Sequence, residues 1–138
     1  MICYLDSSVL LRKLLGEENS LKEWHQIERP FSSRLVSLEC RRTMDRIRIL
    51  SDISPEEFAT HLQGLEELLD RLGVIPLTES IIKRAEDPFL TPVGSLDAIH
   101  LATALLWKEE QKTQLYFATH DQQLATAAKA HGFSVIGI

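Results

Sequence analysis

The chain predicts a three-layer α/β/α protein, an α/β fold with a central, mostly parallel sheet of four or five short strands. Short apolar runs recur without polar alternation, as strands buried on both faces require. Segments of helical periodicity separate them, as crossover connections in a parallel sheet require. A length of 138 residues suits one domain over 1–138, large enough to bury about two thirds of its extended-chain surface. Hydrophobic residues at 44% and charged residues at 25% give a balance that excludes a disordered chain.

Ile2-Cys3-Tyr4-Leu5 reads as the first strand, stopped by Asp6-Ser7-Ser8, residues that favour turns and helix caps. Val9 to Leu15 follows as a helix ending at Gly16, and a second helix over about Ser20 to Ile27 stops before Pro30. Phe31-Ser32-Ser33 is the next strand and leads into a helix from about Arg34 to Leu50, with Glu39 early in it. In Ser54-Pro55-Glu56-Glu57, a cap serine, a proline at the first helical position and a glutamate placed for a capping box open a helix to about Arg71. Phe58, Leu62, Leu65, Leu69 and Leu72 form one narrow apolar stripe along it, suited to the protein's own core more than to a partner groove.

Val74 to Leu77 reads as a third strand, and Thr78 caps a helix over Glu79 to Ala85. Prolines and Gly94 keep residues 87–94 irregular. Ser95 is expected to cap a central helix, Leu96 to about Glu110, apolar almost all round. Leu115 to Ala118 is a fourth strand, Thr119 with Gln122 a capping box for a helix ending at Gly132, and Phe133 to Ile136 the last strand. Ligands of such sheets bind beyond the carboxyl ends of the strands.

Asp6, Glu39, Asp97 and Asp121 each stand where a strand ends or a helix opens, with apolar sequence beside them. If they converge, two like charges about 4 Å apart repel by about 4 kcal/mol at an effective dielectric near 20, and a hard divalent cation is the simplest counter-charge. Each acid has a plainer role as well. Asp6 could cap the helix after it, Asp97 and Asp121 gain from a helix amino terminus, and Glu39 beside Arg41 and Arg42 could belong to a solvated face. Ser7, Ser95 and Thr119 are helix-start residues whose hydroxyls could also orient a carboxylate.

The five histidines show no zinc spacing, and structural histidines are the simpler reading. No glycine-rich nucleotide loop and no serine or cysteine nucleophile motif is present. Cys3 and Cys40 are expected as reduced, buried thiols. With no leader-like amino terminus and no run long enough to span a bilayer, a cytoplasmic protein with no membrane partner is expected. The net charge of −5 lacks a broad basic footprint, yet Arg34, Arg41, Arg42, Arg46 and Arg48 cluster against only Glu39 and Asp45.

Read in order, four segments resemble the PIN domain, and within it the VapC toxins of bacterial type II toxin–antitoxin pairs. The segments are Ile2 to Ser8, Ser33 to Arg42, Ser95 to Ala104, and Ala118 to Leu124 with Ala128 and Gly132. The third is the most specific, and the likeness covers essentially the whole chain. Leu124 departs from it, standing where many relatives carry an aromatic.

The resemblance implies an Mg2+- or Mn2+-dependent ribonuclease with Asp6, Glu39, Asp97 and Asp121 as metal-binding, catalytic acids and Ser7, Ser95 and Thr119 in support. Arg34, Arg41, Arg42 and Arg46 become candidate RNA contacts, and a homodimer and an inhibitory antitoxin become the expected partners. The alternatives are a PIN-like module that binds RNA or protein without cutting, and a housekeeping PIN nuclease without an antitoxin. A phosphorelay receiver lacks its adjacent acid pair here, and a D-x-D phosphatase is excluded because Ser8 occupies the second acid's place.

Overall fold

The computed structural model describes residues 1–138. Five strands, β1 (Ile2–Leu5), β2 (Arg29–Ser33), β3 (Gly73–Ile75), β4 (Tyr116–Ala118) and β5 (Ser134–Ile136), alternate with six α-helices. These are α1 (Ser7–Leu14), α2 (Leu35–Leu50), α3 (Pro55–Asp70), α4 (Glu79–Glu86), α5 (Ser95–Gln111) and α6 (Gln122–Ala130). The strands lie in the order β3-β2-β1-β4-β5 with every pair parallel, so the expected sheet forms with five strands.

From β1 the chain steps outward to β2 and β3, then returns to the other side of β1 as β4 and β5. The order reverses between β1 and β4, which is where open parallel sheets form their ligand crevice. Leu5 pairs with Ala118, so Asp6 and Thr119 leave the sheet side by side.

Alternation along each strand divides the core into two layers. Tyr4 and Phe117 face α5 and α6, packing with Leu101, Leu105, Leu124 and Ala128. Cys3, Leu5 and Ala118 face the opposite side, with Val9, Leu10, Val36, Met44 and Leu65 of α1, α2 and α3. The stripe of α3 packs into this second layer, Leu65 fully buried and Phe58, Leu62, Leu69 and Leu72 around it. Both cysteines are buried and free, and burial pushes each thiol up to about 12. No helix is long and apolar enough to cross a membrane.

Several local expectations shift. The helix expected over Ser20 to Ile27 is a 3-10 segment, Lys22–Gln26, in which no residue is buried. Within it only Trp24 packs against the core, and one apolar contact is too little to support a longer α-helix. β2 begins at Arg29 and includes Pro30, whose missing N–H breaks no bond to β3 because that ladder starts at Phe31. β3 runs over Gly73–Ile75 instead of starting at Val74 and continuing to Leu77. Pro76 offers no donor to a longer ladder, and a Cβ on Gly73 would stand 3.2 Å from that of Phe31.

Caps move too. Ser54 and Thr78 accept from the N–H groups of Glu57 and Ile81 as expected. Ser95 is not the cap of α5 but its first residue, after Gly94. Thr119 does not cap α6; Asp121 does, its Oδ1 accepting from Leu124 N at 2.8 Å.

Candidate functional site

Asp6 emerges from the buried end of β1 and is 4% exposed. It holds the N-cap position of α1, yet its carboxylate makes no capping bond. Instead Oδ2 accepts from Ser8 Oγ at 2.6 Å and Thr119 Oγ1 at 2.9 Å, while Ser7 Oγ stands 3.3 Å from Oδ1. Of the two roles open to Asp6 in the sequence, capping is therefore not the one it fills. Three hydroxyls instead hold a buried carboxylate in place.

Thr119, fully buried, does a second job: its Oγ1 accepts from Asp121 N at 3.0 Å and so ties the loop after β4 to Asp6. Ser8 makes the parallel link, accepting from His120 N at 3.0 Å. Sequence reasoning passed over Ser8 as a supporting residue. Its signal was the second hydroxyl beside Ser7, two positions after the acid.

Glu39 reaches the same place from the first turns of α2. Its Oε1 lies 2.5 Å from Nε2 of His100, which is fully buried on α5 and stands 3.8 Å from Asp6 Oδ1. The other ring nitrogen of His100 meets the Tyr4 hydroxyl at 2.6 Å, and that hydroxyl accepts from Ser33 N at 3.2 Å. Burial alone would lower the His100 pKa; the hydrogen bond to Glu39 and the charges of Asp6, Glu39 and Asp97 outweigh it and raise it. His100 is thus a satisfied histidine, as expected, but what satisfies it is the acid cluster. The signal was its spacing of three from Asp97 on one helix, which puts both on the same face.

Asp97, in the first turn of α5, is half-buried, and its carboxyl is pushed up to about 6. Burial is the largest cause, followed by the negative charges of Asp6 and Asp121, with Glu39 adding less and His100 opposing. Asp121 is exposed and caps α6. The charges of Asp6, Asp121 and Glu39 all reach Asp97, which places the four acids near one another at the carboxyl edge of β1 and β4. Ser95 is exposed at the start of α5.

Beside them lies a hollow of about 240 Å3 lined by Ser7, Leu35, Leu38, Glu39, Thr43 and Leu96, with Arg42 and Arg46 at its edge. Arg42 is drawn to Asp45 at 3.4 Å and Arg46 is exposed. Arg41 turns to Glu66 of α3, and Arg34 is exposed just before α2. The largest hollow, about 670 Å3 between β3, α4 and α5, contains none of the four acids.

No three His, Cys, Asp or Glu side chains stand together at metal-ligating spacing. In chemical kind the donor set fits a hard divalent cation, being oxygens only. Asp6 and Glu39 are held, whereas Asp97 and Asp121 have the exposure to turn inward. The residues thus fit such an ion on condition that the two outer acids close in.

The PIN domain family model matches residues 3–130. The chain is 29% identical over 132 residues to Ribonuclease VapC47 of Mycobacterium tuberculosis, covering 94% of this chain and 92% of that protein. A toxin–antitoxin complex from Klebsiella pneumoniae contains a chain of similar fold, with a TM-score of 0.66 at 16% identity over 97% of this chain and 95% of that one. PAE2754 from Pyrobaculum aerophilum matches with a TM-score of 0.58 at 15% identity over 94% and 88%. These two structures bear on the fold alone.

Proposed function

The chain belongs to the PIN domain family, and from that premise we propose that it is a metal-dependent endoribonuclease, the VapC-like toxin of a toxin–antitoxin pair. The observation that carries the reading is the buried carboxylate of Asp6, held by Ser8 and Thr119 at the sheet edge with Glu39 beside it on His100, and with Asp97 near enough for the charges of Asp6 and Asp121 to act on it. In this reading, acids drawn from the turn after β1, from α2, from α5 and from the loop after β4 serve one site at the sheet edge where ligands of this topology bind.

Asp6, Glu39, Asp97 and Asp121 would hold Mg2+ or Mn2+, with Ser7, Ser8 and Thr119 keeping Asp6 aimed and Ser95 at the rim. When bound, such an ion supplies positive charge against the attacked phosphate and makes water acidic enough to serve as nucleophile at neutral pH. The protein's own part is alignment. Thr119 and Ser8 fix the carboxylate of Asp6, and Thr119 also sets the start of the loop that carries Asp121. Arg42 and Arg46, with Arg34, would lie along the phosphate backbone, while Arg41 would have to leave Glu66 to do so.

An RNA substrate, a cognate antitoxin and a homodimer complete the proposal, in the cytoplasm. The test is cleavage of single-stranded RNA by the purified chain with Mg2+ or Mn2+, its loss in chelator, and its loss in Asp97→Asn. Toxicity on expression, relieved by the product of a neighbouring reading frame, separates a toxin from a housekeeping nuclease. A second reading, binding without cutting, has one observation in its favour: the lack of a preformed metal-spaced trio. RNA binding with no cleavage under any divalent ion would select it.

A further inference from the structure

We propose that His100 is a positioning residue: held on one side by Tyr4, it fixes the carboxylate of Glu39 and spaces it from Asp6. The inference rests on the proposed role of Glu39 as a site acid, and it deepens that reading by saying what keeps this acid in place.

Glu39 needs such a device because of where it comes from. Asp6 leaves a central strand and is pinned by hydroxyls of its own turn and of the neighbouring one. Glu39 sits on a long side chain on α2, flanked by exposed Leu38 and near the arginines. Left alone, a glutamate there would sample several rotamers and pair with Arg42 or Arg46 at the adjoining hollow. The 2.5 Å contact from His100 Nε2 selects the inward orientation.

His100 can do this because its other nitrogen is occupied as well. Ser33 N–H donates to the Tyr4 oxygen at 3.2 Å, which leaves the phenolic proton free for His100 Nδ1 at 2.6 Å. With Nδ1 accepting, Nε2 carries the hydrogen and must donate, and Glu39 is the near acceptor. A buried ring accepting from a strand residue and donating to a carboxylate thus has its tautomer chosen by the hydrogen-bonded chain Ser33, Tyr4, His100, Glu39. All of it lies in the well-packed layer beneath the site, since Tyr4 and His100 are fully buried. The 3.8 Å from Nε2 to Asp6 Oδ1 is too long for a second hydrogen bond but close enough to hold the two carboxylates apart.

The experiment has two arms on the full-length chain. In the first, long-range nitrogen–proton NMR of the wild-type histidine rings reads the His100 tautomer without any variant or metal. The proposal expects a hydrogen on Nε2, retained when Mg2+ is added. A neutral ring with its hydrogen on Nδ1, or loss of the Nε2 hydrogen on Mg2+ addition as for a direct ligand, overturns it.

In the second arm, Mn2+ affinity is measured by calorimetry. His100→Leu should weaken it by about tenfold to a hundredfold, the usual loss when a group supporting a metal ligand is removed. His100→Gln, which still offers a donor near the Nε2 position, should recover most of that loss, and Tyr4→Phe should lose less than His100→Leu. In the double variant His100→Leu with Glu39→Gln, the loss should be no greater than in Glu39→Gln alone. Additive losses, or a lowered Tm in His100→Leu and His100→Gln alike with Mn2+ affinity unchanged, overturn the proposal in favour of plain packing. A wild-type chain that binds no Mn2+ would instead overturn the metal reading of the site, and the NMR arm alone would then decide whether His100 holds Glu39.

Discussion

The two halves of the acid crevice are built differently. On the inner half, Asp6 and Glu39 have their oxygens engaged: hydroxyls of Ser8 and Thr119 for one, a buried imidazole for the other. On the outer half, Asp97 has burial without a compensating hydrogen bond, and Asp121 spends one oxygen on capping α6. The inner acids are immobilised at the cost of many partners, whereas at Asp97 burial and repulsion outweigh the one relief the protein offers, the nearby His100. Preorganisation and vacancy for a counter-charge therefore sit on opposite walls of one crevice.

That contrast predicts opposite responses to substitution. Asp97→Asn should abolish RNA cleavage, a loss of about a hundredfold or more, while leaving the fold intact and the metal-free Tm at pH 7.5 slightly higher. Full activity in this variant would remove Asp97 from the site. Adding Mn2+ at about a hundred times its Kd should stabilise the wild type by about 2.7 kcal/mol and release protons below pH 6, which differential scanning calorimetry and a pH-stat would read. A melt indifferent to Mg2+ and Mn2+ would break the comparison, because the outer acids would then be repelling for no purpose.

On the inner wall, Asp6→Ala should cost about 2 kcal/mol by chemical denaturation, since it strands the buried Thr119 and Ser8 hydroxyls. Asp121→Ala should cost about 1 kcal/mol, the value of a helix cap. Equal costs would erase the distinction between the walls. The smallest effect is in pH. The carboxyl of Asp97 is raised from 3.8 to about 6, so the folded chain holds a proton that the unfolded chain has released between those values. Stability from this group is complete below pH 3.8 and is lost as pH rises through about 6. After discounting for its partial exposure the loss is about 1 kcal/mol, and it should vanish in Asp97→Asn.

Much of this was legible in the residues. Apolar runs such as Ile2 to Leu5 and Leu115 to Ala118 predict buried parallel strands because no polar alternation spares a face for water. Ser54-Pro55 and Thr78 open helices as expected because a cap is satisfied within one turn. Where an expectation slipped, two signals competed in one short stretch. Thr119, Asp121 and Ser95 can all cap, and the winner depends on whether another partner takes the side chain first. Thr119 was claimed by Asp6 across the sheet and left the cap to Asp121.

Local chemistry by itself determined the strand and helix order, the family likeness and the list of acids, because these depend on residue type and spacing along the chain. Only the tertiary structure decided that Asp6 does not cap, that Ser8 and His100 belong to the crevice, and that Arg41 faces α3 while Arg42 and Arg46 face the hollow. The physical reason is distance along the chain. His100 is 61 residues from Glu39 and 96 from Tyr4, and only the packing of α5 and α2 on opposite faces of one sheet brings those atoms into hydrogen-bonding range at its edge.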